Sequence, residues 1–566
     1  MPLRFASVVP CILLVGWFSS VSASAQAPPA NPAQDQKAAS NTVAATASSP
    51  ATAVVPGPIE PPSVSKAMHL YRDGRLDDAA AEYKRVIDAG LSAPAGYAGL
   101  ARTQLRQHKV DEAAASAAKA VELGPNLAAT HVALGEVYLR QGRIEDAAEQ
   151  FRKLVVANTS DARAYYGLAR VYHLASYHKK ESVLINRAHE LDPNDPEIAS
   201  AWLRPQGLAG RIKGTQERLE DKALDPESRK NLESRLETLK KLAEQPPRPC
   251  GLAPGVTSTE TSLKPIMQTA QDVEGYGLNV RVNGVASTLL LDTGASGVLI
   301  SQRIADKAGV EKLVDQKIGG IGDKESVDGY LGYAKTLQIG SFEFRDCYVD
   351  VVGKNMNENS DGLLGANVFG HFLVELDFPN QKLKISPLPV DPAVGAEQAS
   401  LDSSAETVAE PRDRYVSPDM KDFFLVYLNG HNLMLPTKLN DKSPFLFILD
   451  TGAQTTLVSL AAAEQVGKVG SIDGEFRGIA GKVKKVYRAP DVNLQFANFR
   501  QKMAWIYALD LKNLSDESGI EISGLLGFRL LYQLDIRIDY RDGLLALKFD
   551  PKRFYSDVMP QQSYTH

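Results

Sequence analysis

Cysteine and histidine are scarce in this chain of 566 residues, which has three cysteines and nine histidines. Cys11 lies in the N-terminal apolar segment, so Cys250 and Cys347 are left either to form one disulfide or to remain free thiols. The histidines are scattered, and no His/Cys cluster has the spacing of a metal site. The sequence therefore predicts neither a metal ion nor any other cofactor.

A strong excess of either charge is absent as well, since the net charge is −5 at pH 7 and the pI is near 6.1. No long basic run changes this balance. Because a nucleic-acid-binding surface needs clustered Lys and Arg side chains, we expect no nucleic-acid partner.

Long apolar runs are confined to the N-terminus, where residues 8–18 lie between Arg4 and the small residues Ala23-Ser24-Ala25. This pattern is typical of a signal peptide, residues 1–25, that is cleaved after Ala25. An uncleaved anchor is the alternative, although the run is too short to span a bilayer comfortably. We expect an exported protein, periplasmic or extracellular, with no stable membrane insertion after cleavage.

Two further segments have the composition of linkers. Residues 26–62 are rich in Ala, Pro, Ser and Thr and have almost no aromatic side chains, which predicts a disordered tether. Residues 391–414 are acidic and rich in Ala and Ser, which predicts an exposed linker between two domains.

A period of 34 residues runs through residues 65–198. It is carried by Gly74, His108, Gly142 and Ser176, and again by Ala80, Ala114, Ala148 and Ser182. The pattern resembles tetratricopeptide repeats, which implies an α-solenoid of helix pairs whose concave face can bind a protein partner. We expect the aromatic residues of the repeats in the core between helices: Tyr97, Tyr138, Tyr165 and Tyr166. Residues 199–245 are charged with spaced leucines and predict a helical cap, or a short coiled-coil contact.

A second internal repeat follows, in which an apolar run of strand length ends in Asp-Thr-Gly-Ala. The first copy is LLLDTGASGVLIS from Leu289, and the second is FLFILDTGAQTTLVS from Phe445. Each copy has a glycine-punctuated segment and then the sequence GLLG, at residues 362–365 and 524–527. An internal duplication is the simplest explanation.

These motifs resemble the retropepsin-like aspartic peptidases. The resemblance implies two mainly-β peptidase lobes, residues 262–388 and 422–552, so that the whole chain is a multidomain α + β protein. It implies that Asp292 and Asp450 are catalytic and that Thr293, Gly294, Thr451 and Gly452 support their loops. It also implies two glycine-rich flaps over the substrate, containing Gly319, Gly320 and Gly322 in the first and Gly478 and Gly481 in the second.

Two aspartates suit peptide hydrolysis, because one carboxylate takes a proton from water while the other carboxyl group donates one. We therefore expect an exported aspartic endopeptidase whose repeats recruit a substrate or partner protein. The dyad could form within one chain or between two molecules. A non-catalytic peptide-binding scaffold is the alternative function, and processing of one bound partner is a narrower form of the first. The basic residues of the second flap, Arg477, Lys482, Lys484 and Lys485, indicate either a solvated hairpin or a preference for acidic peptides.

Overall fold

The computed structural model describes residues 61–158, 160–220, 226–244, 250–269, 272–319, 326–353, 360–392, 411–442, 445–472, 476–478, 481–483 and 485–549. The predicted signal peptide and almost all of the predicted tether 26–62 lie outside these ranges. So do Gly320, Gly322 and most of the predicted linker 391–414.

The N-terminal part is a row of antiparallel helix pairs. Its helices are α1 (Val64–Arg72), α2 (Leu76–Asp88), α3 (Ala93–Arg106), α4 (Val110–Leu123), α5 (Ala128–Arg140), α6 (Ile144–Val156), α7 (Ala162–Leu174) and α8 (His178–Leu191). The turn within each pair has one residue in the left-handed region, namely Gly74, His108, Gly142 and Ser176, with φ of 80°, 59°, 74° and 59°. The 34-residue period therefore marks the position at which the chain reverses direction.

Large buried rings of one helix pack against glycines of the next in the same solenoid. A Cβ added to Gly99 would lie 2.1 Å from the Tyr83 ring, and one added to Gly167 would lie 2.3 Å from the Phe151 ring. The helices can approach this closely only because these positions carry no side chain.

Three more helices follow the repeats: α9 (Pro196–Leu203), α10 (Gly207–Leu219) and α11 (Pro226–Ala243). A polar network links α9 back to the first helix, since Tyr71 Oη donates to Glu197 at 3.1 Å. The buried Arg163 donates to Asp195 at 2.7 Å and to Glu136 at 3.1 Å. Among the described helices, none is both long and apolar enough to cross a bilayer.

The first β-rich lobe is built around a nine-stranded sheet in the order β1-β9-β6-β10-β5-β4-β8-β7, with β3 beside β4. Its elements are β1 (Gly251–Leu252), β2 (Thr259–Ser262), β3 (Lys264–Thr269), β4 (Asp272–Val282), β5 (Val285–Asp292), β6 (Val298–Ser301), α12 (Gln302–Ala308), β7 (Glu311–Gly319), β8 (Ser326–Ile339), β9 (Phe342–Val352), β10 (Gly362–Gly365), β11 (Phe372–Asp377) and β12 (Lys382–Pro387).

This lobe begins earlier than the predicted boundary at residue 262. Strand β1 pairs with β9, and Cys250 forms a disulfide with Cys347 of β9, with their Cα atoms 4.2 Å apart. The sequence had left free thiols as an alternative. The disulfide and the strand pairing hold residues 250–252 against the lobe.

The second lobe repeats the plan with an eight-stranded sheet in the order β14-β15-β16-β23-β17-β22-β21-β18. Its elements are β13 (Phe424–Leu425), β14 (Tyr427–Asn429), β15 (Asn432–Leu439), β16 (Phe445–Asp450), β17 (Leu457–Ser459), α13 (Leu460–Val466), β18 (Gly470–Ile472), β19 (Phe476–Gly478), β20 (Gly481–Val483), β21 (Val486–Phe496), β22 (Phe499–Leu509), α14 (Lys512–Ser518), β23 (Gly524–Gly527), α15 (Phe528–Leu531), β24 (Leu534–Asp539) and β25 (Leu544–Phe549).

A third sheet joins the two lobes, with the strand order β13-β25-β24-β11-β12-β2. Its central pair is β11 of the first lobe and β24 of the second, in antiparallel register with Val374 opposite Ile538. Both side chains are fully buried. The two lobes are therefore halves of one hydrogen-bonded structure within one chain.

The solenoid packs against the second lobe at the end of α5. Arg140 is buried and forms ion pairs with Asp516 and Glu521, and the Glu521 N–H donates to the Arg140 carbonyl oxygen at 2.8 Å. Leu139 and Ile144 share an apolar cluster with core side chains of this lobe. The contact therefore combines apolar burial with charge pairing, two features of stable protein interfaces.

The end of the predicted linker 391–414 also belongs to this interface. Arg412 forms an ion pair with the buried Asp542, and its carbonyl oxygen accepts from the His178 N–H at 3.1 Å. Asp413 accepts from the Lys180 N–H, also at 3.1 Å. The prediction of an exposed linker is therefore wrong for these residues, because they bridge α8 and the second lobe.

Candidate active site

The two Asp-Thr-Gly loops lie at equivalent strand ends. Asp292 is the last residue of β5, and Asp450 is the last residue of β16. Each strand pairs in parallel with a GLLG strand, so that Asp292 lies opposite Gly365 and Asp450 opposite Gly527. The apolar residues before each aspartate form the buried strand that carries the carboxylate to the lobe junction.

The glycines of the two loops allow the opposite aspartates to approach. A Cβ added to Gly294 would lie 2.8 Å from Asp450 Cγ, and one added to Gly452 would lie 2.3 Å from Asp292 Cγ. Asp292 and Asp450 hydrogen bond to each other through their carboxyl groups. The dyad therefore forms within one chain, in a gap that a methyl group would fill.

The two threonines hold the loops together by reciprocal hydrogen bonds. Each backbone N–H donates to the other threonine hydroxyl, at 3.1 Å from Thr293 and 3.0 Å from Thr451. Each hydroxyl in turn donates to a carbonyl oxygen of the opposite strand, Leu449 or Leu291, at 2.7 Å. Because both threonines are buried, these four bonds form in a dry environment and fix the relative position of the loops.

The environment of the dyad favours sharing one proton. Burial raises the pKa of Asp292 well above its ordinary value, and the negative charge of Asp450 raises it further. Burial also raises the pKa of Asp450. Backbone donors oppose the rise at both carboxyl groups: Gly294 N–H donates to Asp292 at 2.8 Å, and Ala453 and Gly452 N–H donate to Asp450 at 2.9 and 3.0 Å. The pair therefore favours one shared proton, and the larger rise in pKa at Asp292 favours that proton on Asp292.

His431 contacts the first loop from the second lobe and was missed by the sequence reasoning. Its Nε2 lies 3.0 Å from the Gly294 carbonyl oxygen, which can only accept, so Nε2 carries the proton. Burial lowers the pKa of His431 and favours the neutral ring. His431 thus supports the loop of Asp292 across the lobe junction. The sequence gives no local signal for this contact, because His431 and Gly294 are 137 residues apart.

Asp272 forms a second bridge between the lobes that the sequence reasoning missed. Arg529 donates to both of its carboxylate oxygens, at 2.8 and 2.9 Å, and the Gln454 side chain donates to it at 3.1 Å. Arg529 follows the second GLLG, whereas the matching position after the first is Asn367, which accepts from the Gly297 N–H within its own lobe. That difference between the copies is the signal that could have indicated Arg529.

The flap predictions fall on two hairpins. Gly319 ends β7 and lies opposite Ser326 of β8, while Gly478 lies opposite Gly481 in the β19–β20 pair. Gly320 and Gly322 lie outside the described residues. Of the basic residues of the second flap, Lys485 is exposed, and the side chains of Arg477, Lys482 and Lys484 lie outside the described part.

One group of side chains in the described ranges is close enough to hold a metal ion: His173, His178 and Glu181. Both histidines place Nδ1 3.0 Å from the Glu181 carboxylate. These contacts are hydrogen bonds between partners on α7 and α8, and they belong to the solenoid rather than to the dyad. The expectation that the protein needs no metal stays a prediction.

Comparison with protein families finds matches in both the helical part and the β-rich part of the chain. Residues 64–128 and 132–196 match a family model described as tetratricopeptide repeat. Residues 278–371 match a model of the aspartyl protease of gag polyproteins, and residues 435–530 match a model described as aspartyl protease.

Curated relatives match over part of their length. The chain is 31% identical over 110 residues to DNA damage-inducible protein 1 of Neurospora crassa, which covers 19% of this chain and 24% of the relative. It is 25% identical over 136 residues to the protein of that name in Chaetomium globosum, covering 24% and 30%. The chain thus spans less than a third of the length of these relatives.

Solved structures match each region with low overall similarity. An aspartic proteinase from Irpex lacteus has 13% sequence identity and a TM-score of 0.33, covering 53% of this chain and 99% of that one. A thermophilic TPR protein from Thermus thermophilus has 24% identity and a TM-score of 0.26, covering 31% of this chain and 96% of that one.

Proposed function

Because the chain contains tetratricopeptide repeats followed by two retropepsin-like aspartyl protease domains, we propose that it is an exported aspartic endopeptidase with a complete dyad in one chain. The observation that carries the proposal is the hydrogen-bonded pair of Asp292 and Asp450, braced by Thr293 and Thr451. This geometry supports water activation without a metal ion or a covalent intermediate.

The dyad supplies an acid and a base. The ionised Asp450 takes a proton from a water molecule as that water attacks the peptide carbonyl carbon, and Asp292 donates its proton to the carbonyl oxygen. The resulting diol collapses when the protonated Asp450 gives its proton to the leaving nitrogen, and one diol hydroxyl returns a proton to Asp292. The dyad thereby regains its starting state.

The solenoid is the recruiting part of this proposal. Tetratricopeptide repeats are typical of protein interaction, and the Arg140 interface holds the solenoid on the second lobe. A protein bound to the repeats would therefore lie at a fixed distance from the cleft, which favours cleavage of one of its own extended segments.

Export remains part of the proposal and has two supports. One is the signal-like sequence at residues 1–25. The other is the Cys250–Cys347 disulfide, because disulfides persist mainly in oxidising compartments such as the periplasm and the cell exterior.

The test is cleavage of an unbiased peptide library between about pH 4 and 7, a range in which a carboxylate dyad titrates. The mature protein is compared with Asp292→Asn and Asp450→Asn, each checked for folding by circular dichroism. We expect either substitution, and a pepstatin-type inhibitor, to abolish cleavage. Half of the activity in each variant would contradict the single-dyad mechanism. Peptide binding without cleavage by the unaltered protein would favour the scaffold function.

A further inference from the structure

The internal duplication allows the walls of the cleft to be compared position by position. In the first lobe, the strand registers align Leu290 with Leu363 and Leu363 with Leu299. Since residues directly opposite each other in a sheet point to the same face, these leucines form a row. The second lobe has the matching row Ile448, Leu525 and Leu457.

Both rows lie between a catalytic loop and the base of a flap. The leucines of the first lobe pack with Ala295, which follows the catalytic tripeptide, and with Ile318 and Val327 from the two flap strands. The matching row packs with Ala453, Phe476 and Val483, which occupy the same places in the second lobe. Each row therefore lies beside the dyad at the base of a flap hairpin, and in the proposed endopeptidase it would form a wall of the substrate cleft.

The fourth position of the row distinguishes the two walls. Leu299 lies opposite Asp350 of β9, whereas Leu457 lies opposite Tyr507 of β22. Tyr507 is part of an aromatic group and makes edge contacts with Phe476 and Trp505, at ring-centroid distances of 5.1 and 4.6 Å. One wall thus ends in a carboxylate and the other in an aromatic ring.

Asp350 has no cationic partner among the described residues. Its carboxylate accepts a hydrogen bond from the Gln316 amide of the flap strand β7 at 2.5 Å. It is half-buried, and burial raises its pKa to about 6. At neutral pH the carboxylate is therefore ionised in a partly buried position, which costs desolvation energy. A cationic side chain of a bound peptide would offset this cost.

We propose that Asp350 is a specificity-determining residue that makes the first-lobe wall of the cleft select a lysine or arginine side chain of the peptide. The Tyr507 wall selects an apolar or aromatic side chain on the other side of the scissile bond. The cleft is thus asymmetric although the dyad is nearly symmetric. This inference rests on the proposed endopeptidase function, because it assigns the preference of that same cleft.

The experiment measures kcat/KM at pH 7 for apolar peptides in which each position near the scissile bond is replaced in turn by Lys, Arg, Leu, Gln or Glu. The mature protein, Asp350→Asn and Tyr507→Phe are compared. We expect one position at which Lys or Arg is favoured over Leu by about tenfold or more, as for a close charge pair. Asp350→Asn should remove this preference, so that kcat/KM for the Lys or Arg peptide falls to that for the Leu peptide. Tyr507→Phe is the matched control and should keep the basic preference.

Several outcomes would overturn the inference. The unaltered protein could show no preference for a basic residue at any position, a result that needs no variant to fold. Equal basic preference in the unaltered protein and in Asp350→Asn would also overturn it.

Absence of all cleavage would instead count against the proposed function, and binding would then decide the inference. The same peptides, fluorescently labelled, would be titrated by anisotropy. Tighter binding of the basic peptides by the unaltered protein than by Asp350→Asn would support the role of Asp350. Equal binding would overturn it.

Discussion

The first lobe contains a disulfide, and its flap strand β7 contacts the cap helix α11. The second lobe instead packs against the solenoid. The Asp-Thr-Gly loops of the two lobes nevertheless make matching threonine hydrogen bonds, two donated by each loop to the other. The copies therefore agree where two aspartates must meet and differ where each lobe contacts the rest of the chain. The common part is the part that the proposed hydrolysis requires, and the different surroundings give each lobe its own stabilising contacts.

Removing the disulfide tests the support of the first lobe. The disulfide closes a loop of 97 residues. A disulfide across a loop of that length stabilises the folded protein by about 4 kcal/mol, because it restricts the unfolded chain. We expect Cys250→Ser with Cys347→Ser to lose about this free energy of unfolding, measured by urea denaturation. The unaltered protein in a reducing buffer is the control and should match the variant. An unchanged midpoint would argue that the strand pairings alone hold the lobe.

Arg140→Ala tests the support of the second lobe. The substitution leaves Asp516 and Glu521 without their buried partner, so we expect a loss of about 3 kcal/mol in the same assay. Arg143→Ala is the matched control, since Arg143 pairs with Asp146 at an exposed site, and it should cost less than about 1 kcal/mol. Similar losses in both variants would contradict a stabilising interface at Arg140.

The common part of the lobes is tested by adding one methyl group to each catalytic loop. Gly452→Ala and Gly294→Ala would place Cβ against the opposite aspartate. Since a displacement of about 1 Å can cost a hundredfold in rate, we expect kcat to fall by about that factor in both. Gly467→Ala is the control, because its Cβ would meet no atom within 4 Å. A large loss in one loop variant alone would show that the dyad tolerates displacement from one side.

Asp350→Asn tests the difference between the cleft walls through pH. Because burial raises the pKa of Asp350 to about 6, its contribution to stability is present below about pH 4 and is lost as the pH rises through 6. We expect the free energy of unfolding of the variant, relative to that of the unaltered protein, to rise by about 2 kcal/mol from pH 4 to pH 7. This value is reduced for the partial exposure of the side chain. Urea denaturation at both pH values measures this change. Equal changes in the free energy of unfolding of the two proteins from pH 4 to pH 7 would mean that burial does not destabilise the ionised form of Asp350.

Local sequence was sufficient for the architecture. The 34-residue period reflects one residue of left-handed backbone conformation that recurs in the turn of each helix pair from α1 to α8. The duplicated Asp-Thr-Gly and GLLG sequences reflect a strand pairing that recurs in each lobe. Both patterns lie within short stretches of chain, so periodicity and motif spacing can reveal them. They were enough to predict an α-solenoid followed by two retropepsin-like lobes.

Contacts between distant segments could not be read from the sequence. His431 reaches Gly294, Arg529 reaches Asp272, and Arg140 reaches Asp516 only after the lobes and the solenoid have packed. Composition was also misleading for Arg412 and Asp413, which follow an acidic, Ala/Ser-rich stretch but bind α8 and the second lobe. Such residues carry no periodic signal, since each is determined by one tertiary contact.

The sheet shared by the lobes has a consequence for how activity depends on the amount of protein. Because β11 and β24 are hydrogen bonded within one chain, the second aspartate is present at an effective concentration set by covalent connection. Dilution, which separates an enzyme assembled from two chains, leaves this pairing intact. For the proposed endopeptidase, turnover per molecule should therefore not depend on protein concentration, and a peptide that competes for a subunit interface would not separate the two aspartates.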